Sequence, residues 1–130
     1  MKNRVRIFTY ILTLLAPVSL FAQGWEPVGN VNFRDAYNFG RGEVVLAASS
    51  GSLYWSLDNG VSFRTQPLDD SSGLNSVQFH DEIGIAASDS NRFFFSNNNG
   101  GTWTKHYLPS RYGINNLTFA GSDTIFACGN

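Results

Sequence analysis

Residues Ser96–Trp103 read S-N-N-N-G-G-T-W, and forty positions earlier Ser56–Phe63 read S-L-D-N-G-V-S-F. Asp58 and Asn98, Gly60 and Gly100, Ser62 and Thr102, and Phe63 and Trp103 all fall on that one offset. The same spacing links Phe39, Phe79 and Phe119, and again Ala47, Ala87 and Ala127, so a third repeat begins before Asn130. A period of about 40 residues made of short apolar runs and turn residues is that of a four-stranded propeller blade. The fold class expected is therefore all-β, a partial β-propeller of four-stranded antiparallel blades.

The composition of the octapeptide follows from turn chemistry. Asn, Asp and Gly tolerate positive φ, so Asp58-Asn59-Gly60 and Asn98-Asn99-Gly100-Gly101 between apolar runs predict hairpin turns. A side chain at 58 or 98 can accept hydrogen bonds from backbone N–H groups further round the turn, and Ser56 or Ser96 can add another. The aromatic at 63 or 103 is expected to start the next strand and fold back over the turn, covering on the order of 150–250 Å². Ser56, Asp58, Gly60, Phe63, Ser96, Asn98, Gly100 and Trp103 are accordingly read as structural residues, with no direct role in ligand or metal binding.

The pattern Ser-x-Asp-x-Gly-x-Thr-Trp resembles the Asp-box (BNR) repeat of sialidases, sortilin-type receptors and photosystem II assembly factor-like propellers. The resemblance covers two full repeats. It implies that each box joins the third and fourth strands of a blade, away from the ligand face. The second copy departs from the pattern at Asn98, and the first at Ser62 and Phe63.

In the first repeat, strands are expected near Ala36–Phe39, Val44–Ala48, Leu53–Ser56 and Ser62–Thr65. In the second they fall near Leu74–Phe79, Ile83–Ala87, Arg92–Ser96 and Thr102–Tyr107. The third has Ile114–Phe119 and Thr124–Cys128. Runs such as Val44–Ala48 and Ile83–Ala87 do not alternate, which suits strands buried on both faces. Two strands are wanting from the third blade, and closed propellers have 4–8 blades. The chain is thus expected to be part of a longer propeller whose remaining blades lie elsewhere, or to form a ring from several copies.

Residues 1–22 read as an export signal: Lys2, Arg4 and Arg6 head an apolar stretch from Ile7 to Leu20, with a cleavage region at Phe21-Ala22-Gln23. The stretch is shorter than the ~20 residues a spanning helix needs, so no membrane span is expected in the mature chain, residues 23–130. Secretion, the periplasm or the cell surface follows as destination. Trp25–Val28 looks like the segment after a box; it is either an outer strand for the last blade, as the propeller resemblance implies, or a frayed leader.

Of nine Lys and Arg, removal of the signal takes three and leaves six against ten Asp and Glu, a net charge of −4. That argues against nucleic acid, since no basic stripe exists to neutralise phosphates. The lone Cys128 can form no bridge within the chain, and its apolar neighbours Ile125, Phe126 and Ala127 predict a small buried hydrophobe.

The sialidase resemblance implies an arginine cluster, a Tyr/Glu nucleophile pair and an acidic acid/base. Arg34, Arg41, Arg64, Arg92 and Arg111 read as exposed residues with ordinary partners, and Asp69-Asp70 and Asp81-Glu82 as loop carboxylates. Adjacent strand residues point to opposite faces, so neither acid pair forms the ~5–5.5 Å couple of a retaining glycosidase. His80 and His106 have no metal-ligand spacing. The sequon Asn116-Leu117-Thr118 matters only where the source glycosylates. No catalytic, metal or cofactor residue is assigned. The expected function is an exported, non-catalytic propeller that binds or scaffolds another protein. The alternatives are an N-terminal fragment of a sialidase or other glycoside hydrolase, and a carbohydrate-binding module using Tyr107 or Tyr112.

Overall fold

The computed structural model describes residues 30–69, 71–109 and 111–130. The expected export signal at residues 1–22, Trp25–Val28 and Asp70 lie outside the described residues. Val31–Asn130 forms one unit of ten strands: β1 Phe33–Gly40, β2 Glu43–Ala48, β3 Ser52–Ser56, β4 Arg64–Pro67, β5 Leu74–His80, β6 Ile83–Ser88, β7 Arg92–Ser96, β8 Thr104–Tyr107, β9 Ile114–Phe119 and β10 Ile125–Gly129. They pair as the antiparallel meanders β1-β2-β3-β4 and β5-β6-β7-β8 and the hairpin β9-β10. These are two propeller blades and the first half of a third.

The forty-residue repeat is a repeat of register. Val44↔Ser56 recurs as Gly84↔Ser96, Leu46↔Tyr54 as Ala86↔Phe94, and Ser52↔Pro67 as Arg92↔Tyr107. The inner hairpin of each blade departs from it. β1 has irregularities after Phe33 and after Asn38, whereas β5 has one, after Leu74. Each inner strand thereby carries one bulged residue near its start, Arg34, Asn75 or Asn115, where two residues oppose one on the partner strand.

Two apolar cores hold the blades together. Val45, Ala47 and Leu53 of the first blade meet Leu74, Val77, Phe79, Ala86 and Phe94 of the second. On the other face of the second blade, Ile85 and Ala87 meet Ile114 and Leu117 of the third. Successive residues of β6 thus serve opposite interfaces, as the pleat requires, and its run is buried on both sides as its composition predicts. In β2 only one face is fully covered: Val45 and Ala47 are buried, Val44 and Leu46 half-buried.

Three expectations are corrected. β4 and β8 begin at Arg64 and Thr104, so Phe63 and Trp103 sit in the turn and do not open the strand. β1 begins three residues earlier than the apolar pattern suggests, because its polar first residues, Arg34 and Asp35, bond to the next blade. Cys128 is exposed rather than buried, because β10 pairs only with β9 among the described strands.

Phe94, 2% exposed, fills the first interface. Phe94→Ala is expected to cost about 3–5 kcal/mol through transfer and cavity terms. Tyr107→Ala, at a position 65% exposed, should stay within about 0.5 kcal/mol of the parent. Denaturant unfolding of both variants checks the contrast.

Candidate functional site

The β3–β4 and β7–β8 turns lie at the same end of the blades as the β1–β2 and β5–β6 turns, since Asn59 N–H donates to Gly42 O and Asn99 N–H to Glu82 O, both at 2.9 Å. In the first turn the buried Ser56 Oγ accepts from Gly60 N–H at 2.8 Å and donates to Asp58 Oδ1 at 2.8 Å. Asp58 in turn accepts from Ser62 N–H at 2.9 Å and from Ser62 Oγ at 2.6 Å. The Ser62 hydroxyl and N–H, with Ser56, hold the Asp58 carboxyl down at about 2.

The second turn repeats this geometry with one donor reversed. Ser96 Oγ accepts from Gly100 N–H at 2.9 Å, and Asn98 Oδ1 accepts from Thr102 N–H at 2.9 Å. Asn98 Nδ2 then donates to Thr102 Oγ1 at 2.9 Å, where Asp58 accepted from Ser62. Positive φ falls at Asn59 and Gly60, and at Asn99 and Gly100.

Trp103 folds back over its turn, donating Nε1–H to Gly100 O at 3.0 Å. Gln66 Nε2 donates to the same carbonyl at 3.1 Å, and its Oε1 accepts from Trp55 Nε1 at 2.8 Å, so this turn is seated on the first blade. Gly100 has to be glycine here, because a Cβ would stand 2.6 Å from the Trp55 ring. Phe39, Trp55, Phe79 and Trp103 form a run of ring contacts with centroids 4.7–5.8 Å apart.

The opposite end carries charge pairs that span the blades. Arg34 Nη1 contacts Asn75 Oδ1 at 2.5 Å and Asp89 Oδ2 at 3.0 Å, and both charged side chains remain about one-third exposed. Asp35 Oδ2 accepts from Ser76 Oγ at 2.8 Å and from Val77 N–H at 2.9 Å. Arg92 and Asp69 correct the reading of an exposed arginine and an ordinary loop carboxylate. The Asp69 side chain is fully buried, and Arg92 Nη1 stands 3.1 Å from Oδ1 and 2.9 Å from Oδ2. Ser71, Ser72 and Ser90 take the remaining guanidinium contacts. The approach to Oδ2 lacks hydrogen-bond alignment, leaving that oxygen with a charge contact alone. Burial opposes the charge on Asp69, but the Ser71 hydrogen bonds and then Arg92 and Lys105 outweigh it and hold its carboxyl below the usual range. Nothing in local sequence marks this pair, because its members are 23 residues apart and meet only when the blades stack.

Asp81 and Glu82 form an exposed turn, with Asp81 Oδ2 3.2 Å from His80 Nδ1. Asn116 lies in β9, where its Oδ1 accepts from Ser76 Oγ and from Leu117 N–H. Tyr107 and Tyr112 expose 65% and 64% of their surface. On the outer rim between the first two blades, Gln66, Pro67, Leu68, Phe94, Trp103 and Lys105 line a groove of about 290 Å³. Among the described residues no helix is long and apolar enough to cross a membrane.

No family model matches the chain, and no curated protein matches it. Among solved structures it is similar to one described as YCF48 bound to D1 peptide, with a TM-score of 0.67 over 82% of this chain at 15% identity. The chain spans 39% of that protein's length. The likeness establishes the propeller fold.

Two outcomes test the site. Because the Asp58 carboxyl is lowered from 3.8 to about 2, its contribution is complete above pH 3.8 and is lost as pH falls through about 2. Unfolding midpoints measured across that window should show an acid-dependent slope in the parent that Asp58→Asn lacks and Asn98→Asp enlarges. At the other end, Arg92→Ala strands a buried carboxylate and is expected to cost about 3–5 kcal/mol. Arg92→Leu combined with Asp69→Ala should cost less than the sum of the single changes, read by a double-mutant cycle.

Proposed function

We propose that the chain is an exported, non-catalytic propeller segment of the Asp-box type that binds or scaffolds another protein. Residues 1–22 are its cleaved signal and 23–130 its mature part, placing it outside the cytoplasm. The observation that carries the reading is the likeness in fold to a propeller solved with a bound peptide. The two turns support it from the other side: their polar groups are spent on their own backbones, as expected of boxes that build blades and do not contact ligand.

The binding surface of this reading is the end opposite those turns. There Arg34 of β1, Asp89 of the β6–β7 turn and Arg111 of the β8–β9 connection come to the surface. Fixed charges on loops held by a rigid scaffold are the usual material of recognition surfaces. Arg34 and Arg92 each already face a carboxylate of the chain, Asp89 and Asp69. Arginines already matched in this way are poorly placed to hold a substrate carboxylate.

The test is an array of short extended peptides of varied charge, probed with the full chain. Peptides should be retained, and Arg111→Glu should weaken retention roughly tenfold, the scale of one well-placed charge contact. Arg64→Glu, near the other end, should leave it unchanged. Failure to retain any peptide, or turnover of a panel of glycosides at enzymatic rates, would sink the reading.

A further inference from the structure

Both turns contain an Asn-Gly bond, Asn59-Gly60 and Asn99-Gly100, with each asparagine exposed. Asn-Gly is the dipeptide most open to succinimide closure, because glycine has no Cβ to hinder attack by its own nitrogen. Gly100 N bonds to Asn99 Cγ as its amide proton is lost, the Cγ–Nδ2 bond breaks, and ammonia leaves. Water then opens the ring at either carbonyl, giving aspartate or isoaspartate. No electrons are exchanged.

In this structure the attacking nitrogen is occupied at both sites. Gly60 N–H donates to Ser56 Oγ at 2.8 Å and Gly100 N–H to Ser96 Oγ at 2.9 Å, with both serines 1% exposed. Asn59 and Asn99 are also held at positive φ, 60° and 54°, and tied through their own N–H groups to Gly42 and Glu82. Ring closure requires the glycine N–H to leave its serine, so reaction waits on opening of the turn.

The two sites differ in the room given to the amide. The Asn59 side chain fills the space that a side chain at Gly42 would take, since a Cβ there would lie 2.7 Å from Asn59 Oδ1. Forty positions on, the residue is Glu82, with a side chain of its own, and Gly100 is buried where Gly60 is half-buried. We infer that Asn59-Gly60 and Asn99-Gly100 are deamidation sites, gated by the Ser56 and Ser96 hydroxyls respectively.

The consequence is local to the joint between blades. Gly100 O receives both Trp103 Nε1 and Gln66 Nε2, and isoaspartate at 99 adds a methylene to the backbone immediately before it. Modification therefore unseats the second turn from the first blade and adds a negative charge where Asn99 was neutral.

The experiment is a time course of the full chain at mildly alkaline pH, mapped by peptide mass and by isoaspartate content at each site. In the folded parent, Asn59 and Asn99 should both deamidate more slowly than in denaturant. Ser96→Ala should raise the Asn99 rate roughly tenfold, the scale of one lost buried hydrogen bond, and leave Asn59 unchanged. The unchanged Asn59 rate separates a local gate from general unfolding, which would accelerate both sites. Equal rates in folded and denatured chain, or equal acceleration of both sites by Ser96→Ala, would overturn the inference.

Discussion

Blade-to-blade order depends on the bulge near the start of each inner strand. Without it, Arg34, Asp35, Asn75 and Ser76 would be locked into an unbroken ladder with their own hairpins. The extra residue bends the strand and re-aims its neighbours, so that Asp35 accepts from Val77 N–H and Ser76 Oγ from Leu117 N–H. Asn75 Nδ2 likewise reaches Ile114 O at 2.9 Å. Each blade thus satisfies backbone groups of the next, which matters because inner strands are crowded against one another and unsatisfied backbone groups there would be costly.

Given that alignment, the apolar interfaces need small residues at their tightest points. Ala86 and Ala87 on adjacent positions of β6 face different cores. Gly84 is surrounded closely enough that a Cβ would stand 2.5 Å from Phe79 and 2.9 Å from Trp103. The aromatic run from Phe39 to Trp103 fills what those small residues leave open. Burial supplies most of the attraction, while the hydrogen bonds of the inner strands and of Gly100 decide which sliding position of the sheets is allowed.

The architecture was legible in the sequence because its signals are local and recur. The turn residues at 59–60 and 99–100 adopt positive φ, and the outer three strands of each blade keep a constant offset that shows directly as a constant register. Features made by stacking were not legible. Asp69 and Arg92 look like any loop acid and strand arginine until two blades bring them together, and the bulges at Arg34 and Asn75 leave no mark in hydrophobic periodicity. Cys128 misled for a related reason: its apolar neighbours fit a core strand, but burial depends on what lies beside β10, which the run itself does not encode. The start of β4 and β8 was misjudged because Phe63 and Trp103 are strand-forming types that the turn uses as lids.

Asp58 and Asn98 show that the turn depends on an acceptor at that position more than on charge. Each uses Oδ1 to take the N–H four residues on and the serine hydroxyl two residues back. What differs is the remaining atom: a carboxylate oxygen must receive the hydroxyl proton of Ser62, whereas an amide nitrogen must give one to Thr102. A hydroxyl at 62 or 102 can do either by rotating, since it is both donor and acceptor. That dual capacity is the physical reason a Ser or Thr belongs at this position, and it lets the acid and the amide occupy equivalent places in adjacent blades without altering the backbone around them.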